Sequence, residues 1–424
     1  MTELGSAIRR LLDERGVSLR AAAKQAHWDA GYVSPVINGH RKGSKRLAQD
    51  LDTVLSAGGQ LVAIWEASEG PQLPQRLAEA TVASFHGTAD TPSESTGTAE
   101  AATGILTAWD SGPARAPFQM LTAEQAGLDE IAQLEAITDM FRVWDHQRGG
   151  ALGRRAATGQ LADVADLLSR PHPDPLRHRL LAVAARMSII VGHMTSDAGL
   201  DGHAARYLDL ALDAAREAGD GDLGARAVNA IARRIIDVGR SAEAVTLLRH
   251  ARASLRDVRP SVTALLFGTE AWASAKLGDY DKMAPCLEQA SELASGAGNV
   301  GPAEVAGVAG ACYETLAAAS PNRRAASAEQ AARYITTALQ LRDPYYVRSR
   351  VFDLAGLARI RLMQGELDEA MAAAGKALDS AVTLRSSRTA RRLHGLAIDA
   401  LTQYPSARPV GDYVDQVRTR LPVS

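Results

Sequence analysis

Glycines at a regular interval restrict the fold of the second half of this chain more than any other feature. Gly199, Gly239 and Gly278 lie about 40 residues apart, and Gly365 falls in the same register after two further intervals. Each glycine has a small residue seven positions before it and small or apolar residues five, nine and twelve positions after it. These positions hold Gly192, Ala204, Leu208 and Ala211; Ala232, Ala244, Leu248 and Ala251; Ala271, Met283, Leu287 and Ala290; and Ala358, Ala370, Ala374 and Ala377.

This register predicts pairs of α-helices, in which the glycine ends the first helix and small side chains let the second helix approach closely. A single pair cannot bury its apolar face, so successive pairs must stack into a curved array. A further pair without a turn glycine is centred on Ala326, with Ala331, Ile335 and Ala338 in register. The pattern resembles the tetratricopeptide repeat, although its period exceeds the usual length of about 34 residues, and it covers roughly residues 178 to 400.

Composition also favours helices. Apolar residues make up 46% and aromatic residues only 4% of the 424 positions, and alanine, which has the highest helix propensity, is abundant. Because the formal net charge is −2, any nucleic-acid contact has to come from a local basic patch. Cys286 and Cys312 form no CxxC pair, which predicts a reducing, cytoplasmic location and no metal site. No apolar run reaches about 18 residues, so we expect no membrane partner.

A second pattern lies between residues 18 and 39. Ala22 and Ala23 are small residues where one short helix would pack against the next, and Asp29 is a suitable N-cap for that next helix. Val33 and Val36 fall on one face of it, where they would point to a core. The segment resembles the helix-turn-helix of Cro/repressor-type regulators, the XRE family.

Two residues depart from the pattern of that family: His27 stands at a turn usually occupied by glycine, and Pro35 lies inside the second helix. The resemblance implies binding of double-stranded DNA by a homodimer, because one small helix-turn-helix covers a single half-site. Local charge agrees with this, since Asp29 is the only acid between residues 27 and 46. The residues predicted to contact DNA are Arg20, Ala30, Gly31, Tyr32, Ser34, Pro35, Arg41, Lys42, Lys45 and Arg46.

Composition changes between Gly87 and Pro117, where 23 of 31 residues are Gly, Ala, Pro, Ser or Thr. So few large apolar side chains cannot offset the entropy of ordering the chain, which predicts a flexible linker. We therefore divide the chain into a helix-turn-helix domain at 1–68, a linker at 69–120 and a tetratricopeptide-like repeat domain, an α-solenoid, at 121–424.

In tetratricopeptide stacks the first helix of each pair lines the concave face, and the resemblance carries the ligand-facing positions of that family to this chain. Such a surface suits a peptide or another small anionic ligand, since arginine grips carboxylates and asparagine pairs with peptide backbone. The alternative is that these arginines pair with nearby acids such as Asp197, Asp237 and Glu270. The predicted ligand-binding residues are Arg186, His193, Arg226, Asn229, Arg233, Trp272, Phe352 and Arg359.

Together the two resemblances predict a cytoplasmic transcriptional regulator similar to the peptide-responsive regulators of Gram-positive bacteria, including those of actinobacteria. The alternative is an adaptor whose repeats bind another protein and whose helix-turn-helix does not bind DNA. An enzyme is a weaker hypothesis, because the sequence has no Walker loop, HExxH motif or nucleophile elbow. We expect no catalytic residues and no cofactor.

Overall fold

All regular structure in the described part of the chain is helical. The computed structural model describes residues 3–38, 43–69, 76, 77, 80, 127–294, 301–384 and 386–421. The elements within these ranges are nineteen α-helices and one short 3₁₀ helix, which confirms the predicted all-α class. The chain forms two compact units, Met1–Gln72 and Leu73–Ser424.

The first unit contains five helices: α1 Glu3–Arg15, α2 Leu19–Gln25, α3 Ala30–Ile37, α4 Lys45–Val54 and α5 Gln60–Glu69. Their apolar faces meet in one core, and the small side chains of α2 let α3 approach it. The fully buried members of this core include Ile8, Ala22, Ala23, Val33, Leu47, Leu51 and Leu61.

Local sequence sets where the short helices begin and end. Gly16 has a φ of 63° after α1, and the hydroxyl of Ser18 caps α2 by accepting a hydrogen bond from the N–H of Ala21. The carboxylate of Asp29 caps α3 in the same way, as the sequence predicts. The turn between them contains His27 with a φ of 59°, a conformation in which glycine has no steric cost and other residues do.

The second unit contains fourteen further helices among the described residues. They are α6 Leu128–Arg148, α7 Gly150–Leu168, α8 Asp174–Asp197, α9 Asp201–Glu217, α10 Gly221–Asp237, α11 Ser241–Ser254, α12 Pro260–Lys276, α13 Tyr280–Ala294, α14 Pro302–Ala319, α15 Arg324–Leu341, α16 Val347–Gln364, α17 Leu367–Val382, α18 Ser387–Gln403 and α19 Arg408–Arg420. A 3₁₀ helix, Pro321–Arg323, joins α14 to α15.

The turn glycines have the backbone that the repeat register predicts. Gly199, Gly239, Gly278 and Gly365 have φ values of 79°, 82°, 73° and 83°, in the left-handed region. The small and apolar residues of the register are all buried, as are Ala331, Ile335 and Ala338 of the pair without a turn glycine.

The helices of the second unit close on themselves rather than ending as an open curve. Each even-numbered helix from α6 to α18 packs against the next even-numbered helix, and α18 and α16 then pack back against α8 and α6, respectively. We call the even-numbered helices from α6 to α18 the inner helices. We call the place where α16 and α18 pack against α6 and α8 the seam. The sequence register predicts the stacking of neighbours but carries no information about this closure.

A cluster of buried ion pairs joins the seam. Nη2 of Arg348 on α16 lies 2.7 Å from Oδ1 of Asp145 on α6 and 2.8 Å from Oδ2 of Asp197 on α8. Arg388 and the hydroxyl of Ser386, at the start of α18, both donate to Oδ1 of Asp197, at 2.6 and 2.9 Å. Burial opposes the ionisation of Asp197, but these three partners outweigh it and lower its pKa. The carboxylates of Asp145 and Asp197 thereby connect the four helices α6, α8, α16 and α18.

Part of the predicted linker at 69–120 packs against α9. Leu77 is fully buried, Arg76 forms an ion pair with Asp213, and the hydroxyl of Tyr207 donates to the carbonyl of Ala80 at 2.8 Å. The Gly- and Ser-rich stretch at 87–117 lies outside the described residues.

Candidate functional site

Two regions of the chain are candidate sites, and the first is the solvent face of α3. Val33, Val36 and Ile37 turn one side of this helix into the core, being 0%, 1% and 3% exposed. The opposite side carries the predicted contact residues Gly31, Ser34 and Pro35, with Ala30 and Tyr32 at its edges. The proline does not interrupt α3, which continues to Ile37.

Aromatic stacking and hydrogen bonds hold the edge of this face in place. The rings of Trp28 and Tyr32 have centroids 5.0 Å apart, and Nε1 of Trp28 donates to Oδ2 of Asp50 on α4 at 2.8 Å. At the other end, Nη2 of Arg9 on α1 donates to Oδ1 of Asn38 at 2.8 Å. The helix is thus fixed at both ends before any ligand binds.

The predicted cationic residues of this unit are exposed where they are described. Arg20 is exposed on α2, and Lys45 and Arg46 are exposed in the first turn of α4. Arg46 is 85% exposed and lies 3.9 Å from Asp50, a distance at which the two charges in water attract each other only weakly. Arg41 and Lys42 lie outside the described residues.

The second candidate site is a cavity of about 600 Å³ inside the second unit. The inner helices from α8 to α18 form its wall, together with residues of α9, of α15 and of the turns between helices. Its lining includes Gly192, His193, Ser196, Asp201, Leu208, Ala230, Arg233, Arg234, Asp237, Val238, Trp272, Lys276, Glu304, Gly307, Val308, Ala311, Glu314, Thr315, Ile335, Arg342, Ser349, Phe352, Asp353, Arg359, Arg388, Arg391 and Arg392.

Five of the eight predicted ligand-binding residues line this cavity: His193, Arg233, Trp272, Phe352 and Arg359. The guanidinium of Arg233 lies over the indole of Trp272, 5.3 Å from its centroid. The structure thus brings residues from α8, α10, α12 and α16 to one cavity.

The other three predicted residues are not part of the lining. Arg186 lies 3.4 Å from Glu135, and the side-chain oxygen of Asn229 accepts a hydrogen bond from the hydroxyl of Thr269 at 2.7 Å. Arg226 is half-buried among charged neighbours, and burial lowers its pKa. Arg186 therefore pairs with a nearby acid, as in the alternative interpretation of the sequence.

The lining is cationic. It contains eight lysine and arginine side chains against five carboxylates, and therefore a formal surplus of three positive charges. Burial, and then the positive charge of Arg388, lower the pKa of His193 to about 3, so this imidazole is neutral at physiological pH. A surplus of positive charge gathered around one cavity attracts anions more strongly than the same charges spread over an open surface.

Glu314 on α14 organises one wall of the cavity. Nη2 of Arg392 on α18 donates to both its carboxylate oxygens, at 2.7 and 2.6 Å, and Nη1 of Arg359 on α16 lies 3.5 Å from Oε1. Arg359 also lies 2.8 Å from Asp399. Three inner helices are thereby joined through one carboxylate that is 7% exposed.

A second buried pair supports the neighbouring wall. Arg342 donates to Oδ2 of Asp353 at 2.8 Å and to Oε2 of Glu304 at 2.9 Å. Burial raises the pKa of Asp353 to about 6 in spite of this guanidinium. For Glu304, burial acts in the same direction, but Arg342 outweighs it and lowers the pKa.

Glycines inside the inner helices make room for these pairs. A Cβ at Gly307 would lie 2.5 Å from Nη2 of Arg342, and a Cβ at Gly395 would lie 2.9 Å from Nη2 of Arg359. Because glycine in a helix interior costs stability, its presence there is a sequence signal for a close approach of another group. The turn glycines of the register do not carry this signal, because they only reverse the chain.

The cations of the cavity differ in how they are neutralised. Arg234 pairs with Asp201 at 2.7 Å, and Arg388 pairs with Asp197 as described for the seam. Arg233, Lys276 and Arg391 also line the cavity, but form no ion pair with any carboxylate in the described ranges. These three are the positive charges that remain available to a ligand.

Within the described residues no group of histidine, cysteine and carboxylate side chains could hold a metal ion, and no helix is long and apolar enough to cross a membrane. Cys286 and Cys312 are both buried free thiols, and burial raises the pKa of Cys286 to about 11. Comparison of this chain with protein-family models, with curated proteins and with solved structures finds no match.

Proposed function

We propose that this chain is a transcriptional regulator: the first unit is a helix-turn-helix that binds double-stranded DNA, and the second is a tetratricopeptide-like array that senses an anionic ligand. The observation that carries the DNA-binding proposal is the capped helix α3. Its apolar side is buried, its other side carries the exposed Gly31 and the half-buried Ser34 and Pro35, and exposed cations stand on α2 and α4.

A helix presented in this way can enter the major groove, while flanking cations contact phosphates on either side. The small side chains of α3 allow close approach to the bases, and the hydroxyls of Tyr32 and Ser34 supply hydrogen-bonding groups for readout. Since one such unit covers a half-site, binding of a full operator requires a homodimer.

The cavity supports the sensing half of the proposal. Its surplus of positive charge and its aromatic residues Trp272 and Phe352 suit a small ligand with carboxylate or phosphate groups, such as an acidic peptide. For the ligand to regulate, it must bind one conformation of the array more tightly than another, because equal affinity for both shifts nothing.

One observation favours the adaptor as a second candidate. Gly31 and Pro35 lie on the side of α3 that faces away from the core and supply no side-chain hydrogen bond, so direct base readout there is limited. In this alternative the cavity takes an acidic segment of a partner protein, and the first unit binds no DNA.

The experiment that separates the two is salt-dependent binding to genomic duplexes selected by the full-length protein. The variant Lys45→Ala with Arg46→Ala should weaken binding to all sequences, and the slope of log affinity against log salt should fall by about one for each phosphate that the protein no longer neutralises. Arg10→Ala is the matched control, since Arg10 is an exposed cation of α1 that pairs with Glu14 at 3.8 Å.

If the wild-type protein selects no duplex, or if the double variant binds with unchanged affinity and salt slope, DNA binding through this face is excluded. Extension of the double variant to Arg41→Ala and Lys42→Ala tests the remaining predicted cations.

A further inference from the structure

Two of the charges that remain available in the cavity act on the same carboxylate. Asp237, at the end of α10, lines the cavity together with Arg233 and Arg234 of its own helix and with Arg388 and Arg391 of α18, and all four guanidinium groups interact electrostatically with it. Burial raises the pKa of Asp237 in spite of these neighbours. It forms no ion pair with a described residue, and neither do Arg233 and Arg391.

These two arginines stand on different helices, and both helices pack against α8. The N-terminus of the 17-residue helix α18 adds the positive end of its dipole on the side of Arg388 and Arg391. Arg233, Lys276 and Arg391 contribute three positive charges that form no ion pair with a described carboxylate, and Asp237 contributes one negative charge. Two further negative charges are therefore needed to neutralise this group of side chains.

We propose that the cavity binds a dianion whose charged groups contact Arg233 on α10 and Arg391 on α18 at the same time. This inference rests on the proposed role of the cavity as the ligand site and specifies the class of ligand. Carboxylates and a phosphate ester both offer this chemistry, and both accept charge-assisted hydrogen bonds from guanidinium groups.

The same geometry gives the ligand a regulatory effect. A dianion held between α10 and α18 adds a connection across the end of α8, next to the seam at Asp197, Ser386 and Arg388. The bound state therefore favours the closed array over any conformation in which α18 has left α8. A ligand that binds only the closed form shifts the array toward that form, and a sensor needs such a difference in affinity.

Removal of the negative charge of Asp237 should strengthen dianion binding, whereas removal of an arginine should weaken it. The carboxylate of Asp237 lies among the groups that would hold the dianion and repels it, so the substitution Asp237→Asn should tighten dianion binding. A residue with only a structural role in the cavity would weaken binding or leave it unchanged.

The test is calorimetric titration of the full-length protein at about pH 8, where a phosphate monoester is fully ionised. The probes are glutarate with its monomethyl ester, and methyl phosphate with dimethyl phosphate, so that each dianion has a matched monoanion. The first pair tests two separated carboxylates and the second a single phosphate, which distinguishes the two sources of charge.

We expect at least one dianion to bind about tenfold more tightly than its monoanion. Arg233→Gln and Arg391→Gln should each remove this preference while the monoanion still binds. Arg408→Gln is the control, because it removes an arginine that is 91% exposed on α19, away from the cavity lining. It should leave both affinities unchanged.

The inference is overturned if no dianion binds with a Kd below about 1 mM, if each monoanion binds as tightly as its dianion, or if the two variants retain the preference. Duplex affinity is measured separately, with and without the dianion. Dianion binding without any change in duplex affinity would refute the sensing function and leave the ligand class intact.

Discussion

Gly356 and Glu314 face each other so closely that no side chain fits between them: a Cβ at Gly356 would lie 2.8 Å from Oε2 of Glu314. That oxygen accepts a hydrogen bond from Arg392, so the carboxylate cannot retreat without breaking the pair. The cavity wall therefore requires a residue without a side chain at position 356 of α16.

We predict that Gly356→Ala lowers the free energy of unfolding by about 1–3 kcal/mol, because the methyl group overpacks a filled space. The control is Gly375→Ala in α17, where a Cβ would meet nothing within 4 Å. It should raise stability by up to about 1 kcal/mol, since alanine is the better helix former. Equal effects in urea unfolding would show that the contact with Glu314 is not tight.

A second prediction concerns the seam. Asp197 is fully buried, and Asp197→Ala leaves Arg348 and Arg388 without its carboxylate. Removal of one partner from a buried ion pair costs about 3–5 kcal/mol, because an uncompensated charge remains.

Asp412→Ala is the matched control, since Asp412 is 64% exposed and lies 3.8 Å from Arg408. It should change stability by less than about 1 kcal/mol in the same denaturant titration. Amide hydrogen exchange should show faster exchange at the start of α18 in the Asp197 variant. Equal stability of the two variants would contradict the assigned role of the seam.

A third prediction concerns pH. The pKa of His193 is lowered from 6.5 to about 3 in the folded protein, so the unfolded chain binds more protons between these values. Its contribution to stability is therefore complete above pH 6.5 and is lost as the pH falls toward 3. His193→Gln should lose less stability than the wild type between pH 6.5 and 4, as measured by parallel unfolding titrations. Identical pH profiles would show that this imidazole is solvated.

A fourth prediction concerns the turns. Gly239 has a φ of 82°, and a Cβ there would meet no atom within 4 Å, so any penalty comes from the backbone alone. Gly239→Val should cost about 1–2 kcal/mol or more, whereas Gly239→Asn should cost less, because asparagine tolerates the left-handed region. Thermal unfolding distinguishes the two, and equal melting temperatures would mean that the turn rearranges.

The sequence predicts those features of this molecule that depend on neighbours along the chain. Left-handed turn glycines, the N-cap Asp29 and the buried faces of the helices follow from periodicity and local hydrogen bonding. Five of the eight predicted ligand residues line the cavity for the same reason, since one register places them on the inner helices.

The remaining features depend on residues far apart in the chain. Arg348 and Asp145 are 203 positions apart, and no periodicity connects them. The same holds for Glu314 and Arg392, at a separation of 78. Arg388, Arg391 and Arg392 were not predicted because they lie beyond the aligned turns, and their role follows only from closure of the array.

Closure also limits how such a chain can evolve. An open stack of helical pairs can gain or lose a unit at either end, or by duplication in the middle, because each unit touches only its neighbours. Here an added or deleted pair would move Ser386 and Arg388 away from Asp197, and Arg348 away from Asp145. The number of helical pairs is therefore fixed by the circumference, and variation between related chains should be confined to substitutions and to the lengths of the outer turns.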